Sequence, residues 1–322
     1  MAKPRIIATR KLPEAVERRL KSLFTVALNP SDTLFSKPKL IKAMAHADGL
    51  LCAFGDNIDA EILHAGGARK AGIVANFGVG TNHIDIEAAE DEGVVVTNTP
   101  DVLNDATADL AMTLILNATR RVWMHETRLR RGEWDGFDLT SGLGTSLRGK
   151  TLGVIGMGRI GTALAMRAHF GFGMNVKYYN RSNVYVSAIP EAQNVDTIED
   201  LMAQSDVISL HVPGHAENHH LINAERLALM KPTAYLVNTA RGDVVDESAL
   251  VEALQSGTIA GAGLDVFERE PEVPEALKAM ENVTLLPHIG SATLETRIAM
   301  GMRAIDNLVA YFDGKVPPHQ VV

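Results

Sequence analysis

The chain has 322 residues, 46% hydrophobic and 22% charged, with 31 Lys and Arg against 39 Asp and Glu for a formal charge of -8. These proportions belong to an ordinary globular protein of about two domains, at roughly 150 residues each, and exclude a disordered or fibrous chain. The acidic balance excludes a nucleic-acid surface, and a lone cysteine, Cys52, excludes an intrachain disulfide or a cysteine-built zinc site.

The opening MAKPRIIATRKLPEA has no apolar core of signal-peptide length, and no stretch reaches about 18 uninterrupted apolar residues, so a cytoplasmic protein without a membrane span is expected. From residue 4 to about residue 98, PRIIATR, FTVALNP, GLLCAFG, AGIVANFG and GVVVTNTP read as strands, with helical patterns such as LPEAVERRLKSL between them. That alternation predicts a parallel sheet wrapped by helices. Cys52, after Gly49-Leu50-Leu51, reads as a small core residue. Residues 104–131, NDATADLAMTLILNATRRVWMHETRLRR, offer Asn104 or Asp105 as N-cap and basic residues in the last turns. They predict one helix of roughly 40 Å. Its apolar centre, LAMTLIL, is too short and interrupted for a bilayer, so a subunit contact or a domain connector is expected.

A second alternation begins at Lys150: KTLGVIG, NVKYYN, DVISLHVP, TAYLVNT, IAGAGLDVF and NVTLLPH read as strands, separated by helix-like segments such as IEDLMAQ and ESALVEALQSG. This is the pattern of a doubly wound sheet. LETRIAMGMRAIDNLVAYFDG then reads as one amphipathic helix, which is expected to pack back on the first domain.

GVIGMGRIGTALA carries the G-x-G-x-x-G spacing at Gly156, Gly158 and Gly161, with strand Leu152–Ile155 before it and a helix opening after it. Gly156 allows the tight turn, Gly158 lets the backbone approach a pyrophosphate, and Gly161 permits close helix–strand packing. About 20 residues on, where an NAD site places a carboxylate for the ribose 2′-hydroxyl, stand Asn180, Arg181 and Ser182. With no carboxylate there to repel a 2′-phosphate, Arg181 is expected to pair with it while Asn180 and Ser182 donate hydrogen bonds, so NADP(H) is preferred and NAD(H) remains possible.

Ligands of open parallel sheets bind beyond the carboxyl ends of the strands. There the chain places Arg241 after TAYLVNT, Glu268, Arg269 and Glu270 after AGAGLDVF, and His288 after NVTLLP. An arginine can grip a carboxylate and polarise a carbonyl, a histidine can give a proton to a developing alkoxide, and a carboxylate beside it orients the imidazole and favours its protonated form. The three characters together suit hydride transfer on a small 2-oxo or 2-hydroxy acid. His215, His219 and His220 have no acidic cluster near them in sequence, so no metal is expected.

GVGTNHID (78–85), DATADLAMTLIL (105–116), LRGKTLGVIGMGRIG (147–161), VNTARGDVVDE (237–247), AGLDVFEREP (262–271) and LLPHIGSAT (285–293) together resemble the D-isomer-specific 2-hydroxyacid dehydrogenases, most closely the glyoxylate/hydroxypyruvate reductase branch. The resemblance implies a Rossmann nucleotide-binding domain, residues 101–288, inserted into a discontinuous flavodoxin-like substrate domain, residues 1–100 and 289–322. Both are doubly wound, and the long helix makes a homodimer contact. It implies Arg241 as the substrate arginine, Glu270 and His288 as the acid–histidine pair, and Val79 and Gly80 as backbone donors to the substrate carboxylate. Thr107, Pro213, Ala240 and Asp265 match positions lining the nicotinamide, and Arg159 and Ile160 lie at the pyrophosphate. His211, Thr239 and Gly290 complete the cofactor set. In EWDGFDLTSGLG, Phe137 stands where the reductases often carry a second tryptophan after one at Trp134, so a larger 2-oxo acid remains open. The alternatives are an NAD-dependent dehydrogenase of D-lactate, D-glycerate or a larger acid, and a nicotinamide-sensing scaffold like the family's co-repressors.

Overall fold

The computed structural model describes residues 2–64, 71–182 and 184–322, whose strands form two separate parallel sheets. The first contains β1 (Arg5–Ala8), β2 (Thr25–Ala27), β3 (Gly49–Ala53), β4 (Ile73–Phe77) and β5 (Val95–Thr97), in the order β2-β1-β3-β4-β5. This is the flavodoxin-like winding. The central strands read as unbroken apolar runs because helices cover both of their faces. Cys52 accordingly sits fully buried among Leu50, Ile62 and Val74.

This unit comprises the chain up to Leu103 together with Ser291–Val322. The amphipathic segment near the C-terminus forms helix Leu294–Phe312, capped by Thr293, which packs on β4 and on helix Glu14–Leu23. At Gly301 a side chain would come within 2.5 Å of Val16, so the two helices approach too closely there for a larger residue. The tail then pairs with β5, Val96 N–H donating to Val322 and Val321 N–H to Val96.

Asn104–Gly290 forms the second unit, inserted whole into the first. Its strands β6 (Thr151–Ile155), β7 (Asn175–Tyr179), β8 (Gln193–Asn194), β9 (Val207–Leu210), β10 (Tyr235–Asn238), β11 (Gly261–Leu264) and β12 (Val283–Leu285) lie in the order β12-β11-β10-β9-β6-β7-β8. This is the Rossmann order, with its switch point between β6 and β9. Alternate residues enter two apolar cores, Ile155, Ile208 and Leu236 on one face and Val154, Val207 and Val237 on the other. Of these strands only β8 had no signal in the sequence, being two exposed polar residues.

The single helix expected over 104–131 is corrected by the structure to two, Asn104–Arg120 and Val122–Arg130. Arg121 lies between them in the left-handed region at φ 52°. The returning chain takes the Thr119 carbonyl through Thr145 N–H at 2.7 Å, so a carbonyl near the helix end is satisfied without another helical turn. The first of the pair packs on helix Arg159–Met166 and against β10 and β11. Among the described residues no helix is long and apolar enough to cross a membrane.

Candidate active site

The nucleotide turn joins β6 to helix Arg159–Met166, beside the switch point. Gly156 has φ 94°, and a side chain on it would lie 2.8 Å from the His211 backbone. A side chain on Gly161 would lie 2.4 Å from the Gly156 carbonyl, whereas one on Gly158 meets nothing within 4 Å. Two glycines are thus required by the protein's own packing, and the third leaves open the backbone that a pyrophosphate approaches at a helix N-terminus. Thr239 Oγ1, buried without a hydrogen-bond partner among the described residues, is a polar atom that a bound nicotinamide group could satisfy. The residues fit a dinucleotide cofactor.

After β7 the Asn180 carbonyl oxygen accepts from Met157 N–H at 3.1 Å, while its amide donates to Ser182 O and Oγ at 2.9 and 3.0 Å. Asn180 thereby ties the cofactor loop to the phosphate turn. Arg181, 79% exposed, is ion-paired with Glu217. His211, at the end of β9, is bonded to Ser209 Oγ at 2.9 Å, and desolvation pushes its imidazole down to about 4. The Pro213 carbonyl accepts from Asn218.

Three strand ends bring Arg241, Glu270 and His288 to one edge of the second unit. Asn238, the last residue of β10, accepts from Ala240 N–H at 2.9 Å and donates to the Arg241 carbonyl at 2.8 Å, which shapes the arginine's turn. Gly242 lies so close to the Phe267–Glu268 backbone that a side chain there would come within 1.9 Å of Phe267. Phe267 N–H donates to Glu270 Oε1 at 3.1 Å, and His288 Nδ1 meets Glu270 Oε2 at 2.7 Å. Burial lowers the Arg241 guanidinium from its ordinary value, with the Glu270 and Asp243 carboxylates acting in the opposite direction. It stays cationic at neutral pH. His288 itself lies at φ 54°, a conformation a non-glycine residue adopts only when its surroundings hold it there.

Asp265, buried at the end of β11, is one such restraint: its carboxylate accepts from Ile289 N–H at 2.7 Å and Gly290 N–H at 2.8 Å, and its carbonyl accepts from His288 N–H. A side chain on Gly290 would touch Asp265 and Thr107, so these three residues meet. Burial pushes the Asp265 carboxyl up to about 6, against the pull of those N–H bonds and of His288. Protonation turns one oxygen into a donor and weakens the clamp. The kcat/KM profile should therefore fall as pH is lowered through about 6, and Asp265→Asn should remove that inflection. An inflection that survives would overturn this assignment. The folded value exceeds the unfolded one of about 3.9, so the ionised group costs stability above pH 6 and ceases to do so below about pH 4. The melting temperature of Asp265→Asn relative to the parent should rise between those limits.

In the first unit, the loop of Val79 and Gly80 is held by side chains that the sequence did not single out. Asn76 donates to the carbonyls of Gly78 and Gly80 at 3.2 and 2.9 Å, Asn98 donates to that of Val79 at 3.0 Å, and His83 Nε2 meets Asn76 Oδ1 at 3.1 Å. For Asn76 and Asn98 the only sequence signal is position, within or just beyond a strand end.

The fold brings one carboxylate to these histidines: Glu268 reaches His220 Nε2 at 3.3 Å, from 48 residues along the chain. All three place a ligand atom within 4.8 Å of one another. The two imidazoles are stacked, however, with centroids 3.9 Å apart and planes 24° from parallel. Their in-plane lone pairs run side by side and do not converge on one point.

The model of the D-isomer specific 2-hydroxyacid dehydrogenase NAD binding domain matches residues 112–290. The chain is 44% identical to a glyoxylate reductase of Thermococcus litoralis, across 99% of this chain and 97% of that protein. A protein of Thermus thermophilus is similar in structure with a TM-score of 0.91 and 42% identity, covering 99% of this chain and 100% of that one. An NADPH-dependent glyoxylate/hydroxypyruvate reductase of Sinorhizobium meliloti, in complex with NADP and malonate, has a TM-score of 0.88 at 38% identity, covering 100% of this chain and 97% of that one. Likeness of this extent covers both units and reaches past the strand ends that carry Arg241, Glu270 and His288. The chain belongs to the D-isomer specific 2-hydroxyacid dehydrogenase family and is a nicotinamide-dependent oxidoreductase.

Proposed function

We propose that this enzyme reduces small 2-oxo acids, glyoxylate and hydroxypyruvate foremost, to D-2-hydroxy acids, preferring NADP(H) while accepting NAD(H), and works as a homodimer. The observation that carries the reading is the 2.7 Å contact between His288 Nδ1 and Glu270 at the edge that also bears Arg241. Relatives named glyoxylate reductase favour it over a lactate dehydrogenase or a co-repressor-like scaffold.

When bound, the nicotinamide supplies the hydride that adds to C2 of the oxo acid. Gly156, Gly158, Arg159, Ile160 and Gly161 would hold the pyrophosphate, Thr107, Pro213, Ala240 and Asp265 would line the nicotinamide, and His211, Thr239 and Gly290 would complete the cofactor contacts. Arg241 grips the substrate carboxylate and polarises its carbonyl, while Val79 and Gly80 offer backbone N–H groups to the carboxylate. With Nδ1 engaged by Glu270, His288 uses Nε2 to give its proton to the developing alkoxide.

Steady-state reduction of glyoxylate, hydroxypyruvate, pyruvate and phenylpyruvate with each cofactor tests the reading, with NADPH and the two small acids expected to give the highest kcat/KM. Arg181→Ala should raise KM for NADPH about tenfold and leave that for NADH nearly unchanged, the size of one charge-assisted bond. A similar loss with both cofactors would remove Arg181 from 2′-phosphate recognition.

The dimer reading, made from the long helix and the resemblance, is supported by exposed apolar side chains in one stretch. Val122, Trp123 and Leu129 project from helix Val122–Arg130, and Trp134, Phe137, Leu139 and Leu143 follow. Large apolar residues gathered at a surface favour coverage by a partner.

A further inference from the structure

The cofactor loop shows an acidic residue that its own strand lacks. Arg181 follows β7, and Glu217 lies in the short turn Ala216–Asn218 that follows β9. In the sheet β6 lies between β7 and β9, so these two loops flank the strand that ends in the Gly156–Gly158 turn. The Arg181 Nη1–Glu217 Oε1 ion pair joins them. Asn180, held to Met157 and Ser182, anchors the base of the Arg181 loop on the same turn.

We propose that Glu217 is a specificity-determining residue, an internal anion that occupies Arg181 in place of the cofactor's 2′-phosphate and so narrows the enzyme's discrimination between NADP(H) and NAD(H). The proposal rests on the reading of Arg181 as the 2′-phosphate partner. A carboxylate and a phosphate ester ask the same thing of a guanidinium, two N–H bonds from one planar fork. To bind the phosphorylated cofactor, Arg181 must leave Glu217, and the freed carboxylate then stands near a second anion. The unphosphorylated cofactor carries no such group and leaves the pair intact. The sequence places no acid at the end of β7, where an NAD-type site has one. The fold brings a carboxylate to the arginine from 36 residues away instead.

The pair is a solvated one, with side chains 79% and 52% exposed. Such pairs contribute little to stability, so removing one charge should leave the fold and its melting temperature unchanged. The effect on binding is larger because a like charge beside a doubly charged phosphate opposes it directly. At a separation of several ångströms in a largely aqueous setting, relief of that repulsion corresponds to about threefold to tenfold in affinity.

The experiment is isothermal titration of the whole enzyme with NADP+, NAD+ and adenosine 2′-monophosphate, for the parent, Glu217→Gln, Arg181→Ala and the double variant, at low and high salt. Glu217→Gln should tighten NADP+ and the 2′-monophosphate about threefold to tenfold, more at low salt, and leave NAD+ unchanged. The gain should shrink in the double variant, where Glu217 no longer competes for Arg181 and only its direct repulsion of the phosphate is relieved. If Arg181→Ala weakens NADP+ while Glu217→Gln leaves it unaltered, the role of Glu217 is overturned and Arg181 keeps its own. An Arg181→Ala protein that binds NADP+ as the parent does removes the cofactor reading itself. Equal tightening of NADP+ and NAD+ would place the effect of Glu217 on the part that both cofactors share and would overturn the proposal.

Discussion

Arg241→Ala is expected to lower kcat/KM for glyoxylate by about 10²–10³-fold, equivalent to roughly 3 to 4 kcal/mol of transition-state stabilisation. Two jobs end with the one side chain, anchoring of the carboxylate and stabilisation of the charge that develops on the carbonyl oxygen. The backbone should survive the change, since Asn238 bonds Ala240 N–H and the Arg241 carbonyl and uses no atom of the arginine side chain. Circular dichroism and thermal unfolding would confirm that. Arg241→Lys should recover only part of the loss, because an ammonium retains the charge without the planar fork. Unchanged turnover in Arg241→Ala would remove the residue from the reaction.

His288→Asn should cost about 10²–10⁴ in kcat, the range associated with a positioned general acid. Asparagine is chosen because the position holds φ 54°, which Asn adopts more readily than most side chains, so the imidazole is removed with little backbone penalty. Binding of NADP+ measured directly should be unaffected, which separates loss of the proton donor from loss of the fold. Glu270→Gln is expected to fall between this variant and the parent: the amide can still approach Nδ1, but the carboxylate that fixes the imidazole's orientation is gone. Added imidazole that restores reduction in His288→Asn would support proton delivery at that place, and a kcat equal to the parent's would exclude it.

These predictions depend on residues that were legible at different distances along the chain. The glycines at 156, 158 and 161 declare themselves in six residues, and Gly156 and Gly161 are packed in the structure too closely for a side chain, while Gly158 faces open space. Arg241, Glu270 and His288 were visible as strand-end residues because parallel α/β sheets bind ligands at that edge. Asn238, Asn76 and Asn98 were not, since an asparagine at a strand end looks like any turn residue until its partners are known. The helix over 104–131 misled for a related reason. Its composition is helical throughout, and at the break by Arg121 the Thr119 carbonyl is taken by Thr145 N–H, contributed 24 residues later than the arginine.

Local order along the chain by itself determined the two alternations of strand and helix, the dinucleotide turn and the type of chemistry at three strand ends. Apolar periodicity, glycine spacing and strand-end position are properties of short segments and survive without knowledge of what packs where. Only the tertiary structure decided partners that the sequence did not name: Glu268 with His220, and Glu217 with Arg181. A hydrogen bond or ion pair depends on distances of a few ångströms between atoms far apart in sequence, and the stacking order of the strands sets those distances.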